Sequence, residues 1–400
     1  MRNIPFSPPD ITEEEISAVC DTLRSGWITT GPKTKQFEKE IAEYCGSAGC
    51  ACFSSATAAL ECTLRMLGIG EGDEVIVPAY TYTATASVVC HVGATPVMCD
   101  VAPDSFFMDY DKLASLINEK TKVIIPVDIA GVMCDYDRIF AICEEKKALF
   151  SPKTDLQRAF GRIIVLADGA HAFGAVRKGK KAGTVADFTC FSFHAVKNLT
   201  TAEGGAAVWI KKDFISDEEI YKQYMLLSLH GQDKDTLTKI KLGTWEYDIV
   251  APFYKCNMTD IMASIGLVQL KRYDEILAKR RRYNEIYNEI LSDERFMPIT
   301  HFDEISNSSY HLYLLRIKGI SVDERNEIIE KMAQRGIAAN VHYKPLPMLT
   351  AYKNLGFDIA DYPNSYQLYC NEITLPLNTK MSEDDVRYTA ENLIDVLKDF

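Results

Sequence analysis

Residues 163–171 read Ile163-Ile164-Val165-Leu166-Ala167-Asp168-Gly169-Ala170-His171. The first five form an unbroken apolar run, with no alternation that would leave one face in water. Such a run reads as a strand buried on both sides, the kind found in parallel sheets covered by helices. Ligands of these sheets sit beyond the carboxyl ends of the strands, and Asp168 stands at that end. A carboxylate there is poorly hydrated and needs a cation or several donors. It could equally cap the following turn. His171, three residues on, reads by itself as a packed loop histidine as readily as a catalytic one.

The same pattern recurs on either side. Glu74–Pro78 and residues 95–100, 122–127, 188–193 and 206–210 read as strands. A helix is predicted over 56–67, closed by Gly68, and another around Val88 and Val89 that ends by Gly93. Near the start, Thr12 and Glu15 form a capping box, and Ile16, Val19, Cys20 and Leu23 make an apolar stripe at helical spacing, with Gly26 just past the end. This alternation predicts an α/β fold: a large αβα domain with a mostly parallel sheet over residues 1–260. The segment 261–295 changes to a long helical period. Its basic run, Lys279-Arg280-Arg281-Arg282, reads as a solvated helix face. A strand-like stretch at 310–317 and a helix-like one at 323–334 predict a smaller α+β C-terminal domain over 261–400.

Composition narrows the classes. The 400 residues carry 44 Lys and Arg against 56 Asp and Glu, a net charge of −12. That balance argues against nucleic acid or an anionic membrane as partner. No apolar run reaches the ~18 residues of a membrane span. The first fifteen residues turn acidic with no apolar stretch of signal-peptide type. The twelve cysteines are scattered without any Cys-x-x-Cys. That is neither zinc spacing nor a disulfide scaffold, so no metal is expected. They read as free, buried thiols of a cytoplasmic protein.

A lysine follows the apolar strand at 188–193, in Phe191-Ser192-Phe193-His194-Ala195-Val196-Lys197-Asn198-Leu199-Thr200-Thr201-Ala202-Glu203-Gly204-Gly205. An arbitrary lysine in such a loop is a surface residue. Desolvated there, it would lose pKa and become a nucleophilic amine, as imine formation with an aldehyde cofactor requires. Ser54-Ser55-Ala56-Thr57-Ala58-Ala59 opens a helix with small residues, leaving N–H groups free for a phosphate. Plain capping explains the same serine. There is no glycine-rich dinucleotide fingerprint and no nucleoside-triphosphate loop. A phosphate cup at 55–57, an aromatic at Tyr80 or Tyr82, an acid at 168 and a lysine at 197 are together the parts needed to hold pyridoxal 5'-phosphate.

At these residues the chain resembles the DegT family of sugar-nucleotide aminotransferases, pyridoxal phosphate enzymes of fold type I. Ser25-Gly26-Trp27 through Gly31-Pro32, Ser55-Ala56-Thr57-Ala58-Ala59-Leu60, Pro78-Ala79-Tyr80-Thr81-Tyr82, Asp168-Gly169-Ala170-His171, the block from Phe191 to Gly205, and His342-Tyr343 before Pro345-Leu346 match its motifs in order. The resemblance implies that Lys197 is the Schiff-base lysine and proton shuttle, and that Asp168 is the partner of the pyridine nitrogen. It places His171 beside the ring hydroxyl and Tyr82 on the ring face, with Ala56, Thr57 and Ser192 on the phosphate. Lys255-Cys256-Asn257-Met258-Thr259-Asp260 stands where many members read Asn-x-Arg, and is similar to the branch that makes 4-amino-arabinose nucleotides. In the family this loop reaches the neighbouring subunit's site, which makes Lys255 and Asn257 candidate contacts across a homodimer. The implied reaction moves an amino group from L-glutamate to a keto sugar nucleotide of the 4-keto-6-deoxy type, for surface glycan or related biosynthesis. A dehydratase of the same fold or a non-catalytic regulator are the alternatives. The first is opposed by Lys197, where such relatives carry histidine.

Overall fold

The computed structural model describes residues 2–233 and 246–400. Its larger part is built on a seven-stranded sheet. In spatial order the strands are Gly49–Phe53, Gly205–Trp209, Phe188–Ser192, Ile164–Asp168, Thr121–Ile124, Glu74–Pro78 and Thr95–Cys99. Only Gly205–Trp209 runs against its neighbours; all other pairings are parallel. The strand at 49–53, which supplies one edge, is an addition to those expected. Its run Ala51-Cys52-Phe53 is short and lies directly before the helix opening at Ala56, so the turn chemistry masks it.

Successive side chains of a strand point to opposite faces. Ile164 and Leu166 accordingly enter one apolar cluster and Val165 and Ala167 the other. Helices Ala56–Met66, Thr83–His91 and Asp217–Ser228 cover the first face, and Pro32–Cys45, Tyr136–Glu145 and Asp260–Lys271 cover the second. This double cover is why the runs alternate so little in the sequence.

The C-terminal part has a three-stranded antiparallel sheet, Phe296–Pro298, Tyr313–Ile317 and Glu372–Leu375. Helices Tyr273–Ile290, Val322–Gln334 and Glu383–Val396 pack against it around Ile286, Tyr287, Ile328 and Leu393. Ile4 joins this core and donates its N–H to Gly336. The long helical period beginning at 261 is two helices, broken at Arg272.

Two expectations need correction. Helix Glu13–Ser25 forms with its capping box and with Gly26 in the left-handed cap, but its stripe does not face the core: Ile16 and Leu23 are about half exposed, and Glu15 and Thr22 are buried instead. Arg272 and Gln269 draw Glu15 inward by hydrogen bonds to its carboxylate, which overrides the hydrophobic period. The basic run is also not uniformly solvated, because Arg280 is 3% exposed. All twelve cysteines are free thiols. No described helix is long and apolar enough to cross a membrane.

Candidate active site

Asp168 is the last residue of strand Ile164–Asp168, and it is buried. Thr85, on helix Thr83–His91, donates its hydroxyl to Oδ2 at 2.8 Å, and the Ala170 N–H donates to Oδ1 at 3.2 Å. With its one proton given to Asp168, Thr85 must accept from Thr81 at 3.0 Å. Burial pushes the Asp168 carboxyl above the usual range, and these donors and the charge of Lys197 pull it back. A buried carboxyl with so few donors has room for a cationic N–H partner.

Lys197 lies in the loop joining Phe188–Ser192 to Gly205–Trp209. The loop is held by its own backbone: Lys197 N–H to His194, Phe193 N–H to Gly204, and Thr201 N–H to Phe193, each at 2.9 Å. Burial lowers the lysine from 10.5 to about 8, against the opposing charge of Asp168. Roughly a tenth is then free amine at pH 7, against well under a thousandth at the ordinary value, and free amine is the state a nucleophile needs.

Both groups line one cavity of about 430 Å³, together with Ser55, Ala56, Thr57, Tyr82, His171 and Ser192. Ser55 caps helix Ala56–Met66, its hydroxyl accepting the Ala58 N–H at 3.1 Å. The first N–H groups of a helix have no partner within it, so those of Ala56 and Thr57 are available to an anion. Gly205 closes this cup from behind. A Cβ there would lie 2.3 Å from the Ala56 nitrogen, so only glycine fits. The Ser192 hydroxyl accepts the His194 N–H at 3.4 Å. Tyr82 stands 60% exposed at the rim. Tyr80, the other aromatic considered, is buried and donates its hydroxyl to the His342 carbonyl at 2.9 Å. An anion cup, a buried acid, a buried low-pKa amine and a flat side chain are the donor set that pyridoxal phosphate requires, and the residues present fit that group.

The opposite wall comes from the C-terminal part. His171 Nδ1 accepts the Ala130 N–H at 3.1 Å, so its proton is on Nε2 and is donated to the Tyr343 hydroxyl at 3.2 Å. Burial and the nearby Lys197 hold His171 well below 6.5, hence neutral. Its ring packs on His311, with centroids 4.5 Å apart. Lys197 Nζ lies 3.5 Å from His311 Nε2. Arg280 donates Nε to the Tyr310 carbonyl at 2.8 Å and Nη2 to the His311 carbonyl. Burial pushes that guanidinium down to about 10.

Sequence reasoning missed Thr85, Arg280, His311 and the part played by Tyr343. Arg280 had a signal, since 276, 280, 283 and 287 share one helix face that is otherwise Ile and Tyr. His311 had no local signal at all. Lys255 and Asn257 do not line the cavity. Lys255 donates to Asn257 Oδ1, while Asn257 Nδ2 donates to the Thr30 hydroxyl. Their segment pairs with the strand that leads into the cup, where the Ser54 N–H donates to the Cys256 carbonyl at 2.8 Å. Among the described residues no group of three or more His, Cys, Asp or Glu is placed to hold a metal.

The profile of the DegT/DnrJ/EryC1/StrS aminotransferase family matches residues 9–394. Spr1654 of Streptococcus pneumoniae, whose name describes a sugar aminotransferase, superposes in its PMP form with a TM-score of 0.97 at 58% identity, over 99% of this chain and 100% of that one. PseC of Helicobacter pylori, an aminotransferase involved in the biosynthesis of pseudoaminic acid, gives 0.88 at 28% identity over the full length of both chains. The spore coat polysaccharide biosynthesis protein SpsC of Bacillus subtilis is 36% identical over 99% of this chain and 97% of its own.

Proposed function

The chain belongs to the DegT/DnrJ/EryC1/StrS aminotransferase family, and on that premise we propose that it moves an amino group from L-glutamate to a keto sugar nucleotide of the 4-keto-6-deoxy type. Its cofactor is pyridoxal 5'-phosphate. The observation that carries the reading is the shared cavity of Asp168 and Lys197, a buried acid and a low-pKa amine facing one anion cup.

Bound there, pyridoxal phosphate would supply an aldehyde for amine exchange and an electron-withdrawing ring. Asp168 would accept a charged hydrogen bond from the protonated ring nitrogen. Lys197 takes the α-proton from the donor in the first half-reaction and returns one to the sugar carbon in the second. Ala56 and Thr57 offer N–H groups, and Ser192 its hydroxyl, to the phosphate. Tyr82 and His171, which line the same cavity, would help to hold the ring. Two half-reactions at one site predict ping-pong kinetics.

The name of SpsC, a spore coat polysaccharide biosynthesis protein, supports a product destined for surface glycan, and such substrates go with a cytoplasmic enzyme. Lys255 and Asn257 reach the neighbouring subunit's site in a homodimer. The uncovered stripe of helix Glu13–Ser25, continued by Ile11 and Ile28, supplies apolar surface for that contact. The division at residue 260 into a larger cofactor-binding part and a smaller C-terminal part belongs to the same proposal.

Purified protein incubated with glutamate and a panel of 4-keto and 3-keto sugar nucleotides tests the substrate class. Amination of a keto sugar is expected. Nitrogen transfer to plain 2-oxo acids alone would show the class to be wrong.

A further inference from the structure

We infer that His311 is a positioning residue for Lys197, its Nε2 holding the lysine amine by a hydrogen bond and aiming it into the cavity. The inference rests on the reading above, in which Lys197 moves the proton.

The tautomer is set from outside inward. Asn198 Nδ2 donates to the Ser309 carbonyl at 2.6 Å, which turns Asn198 Oδ1 toward His311 Nδ1 at 2.9 Å. An amide oxygen can only accept, so Nδ1 carries the proton. Nε2 is left as a bare acceptor, 3.5 Å from Lys197 Nζ. That separation is at the long end of hydrogen-bond distance.

The ring cannot swing away. Arg280 grips the carbonyls of Tyr310 and His311, the His311 N–H donates to Ala130 at 3.2 Å, and the ring packs on His171. The titratable and charged groups facing the pair are Asp168 and His171 from the strand end, Arg280 from helix Tyr273–Ile290, and His342. Burial comes first, then the charge of Lys197; together with the other nitrogenous neighbours they hold the His311 imidazole well below 6.5. The lysine therefore meets a neutral acceptor and not a second cation. One N–H of the amine is occupied by His311, and its lone pair is turned to the open side. Because a hydrogen bond accepted from an ammonium favours the charged form, His311 also keeps burial from lowering Lys197 further.

The test uses the holoenzyme after reaction with glutamate, when Lys197 is released. Brief acetylation at a series of pH values, read by mass spectrometry at Lys197, gives the titration midpoint of its amine, with the wild-type value as the reference. His311→Leu is expected to lower that midpoint by roughly one pH unit. It should also slow both half-reactions by roughly tenfold or more with little change in KM for the donor. His311→Gln, which keeps an acceptor oxygen, is expected to recover most of both effects. A merely structural histidine would lower the melting temperature and leave the midpoint where it was, and that result overturns the inference. Should His311→Leu not fold, the imidazole nitrogen resonances of the wild type decide. The Nδ1–H tautomer, untitrated between about pH 5 and 9, is expected; an Nε2–H tautomer or an imidazolium overturns the role. A wild-type protein in which borohydride traps no cofactor on Lys197 would defeat the proposed function itself. A trapped cofactor with an unmoved midpoint defeats only the part given to His311.

Discussion

The two walls of the cavity are built by different means. Asp168, Ser192 and Lys197 stand on or just beyond the carboxyl ends of sheet strands, each within a few residues of an apolar run. Their place in the chain is nearly their place in space. His311, His342 and Tyr343 face them from the C-terminal part, and His311 meets Lys197 across 114 residues of sequence. The first wall carries charge into a dry site. The second brings neutral imidazoles, each held in one tautomer or one position by backbone and side-chain partners. Reactive groups and the groups that orient them are thus split between two cores that fold around different sheets.

Substitutions should separate the walls. Lys197→Ala should cost the most, lowering turnover on the order of 10³-fold or more. The far-ultraviolet dichroism should be unchanged, and borohydride should fix no chromophore to the chain. Asp168→Asn should slow both half-reactions by on the order of 10²-fold. It should also bring the Lys197 midpoint in the cofactor-free protein below about 8, because the Asp168 charge raises it there. A normal rate in Asp168→Asn would remove the ring-nitrogen partner from the account.

Arg280→Leu attacks the other wall. It orphans two interior carbonyls, at a cost of about 3 kcal/mol, visible as a lower denaturant midpoint. It should slow turnover as well, through His311. Lost stability with wild-type turnover would reduce this wall to scaffold. Lys197→Met probes the electrostatic cost of the first wall in the cofactor-free protein. The folded pKa of about 8 lies below the ordinary 10.5, so folding disfavours the charged amine. That penalty is complete below pH 8 and gone above 10.5. Lys197→Met should therefore stabilise by about 3 kcal/mol at pH 7, with the gain fading as pH rises through that window. The smallest effect is expected on helix Glu13–Ser25, where Leu23→Glu should weaken subunit association in light scattering and leave the melting temperature nearly unchanged.

The strands at Glu74–Pro78 and Ile164–Asp168 were legible because burial on both faces leaves a nearly unbroken apolar signature. The cup was legible because small residues before a helix serve both capping and anion binding. The resemblance to a known family then assigned the lysine and the acid their roles. Less could be read where polar contacts outvote the hydrophobic period. Glu15 turns inward and Ile16 outward in a well-formed helix, and Arg280 is buried inside what looks like a basic surface run.

The order of elements, the sheet they make and the chemistry available at the strand ends follow from the chain alone, because local periodicity and short turns set them. Which histidine faces the lysine, which nitrogen it presents and whether an arginine is wet or dry depend on groups that meet only after both cores have formed. No stretch of neighbouring residues contains that information: a hydrogen bond has a direction, and directions exist between side chains only once distant backbones have been brought together.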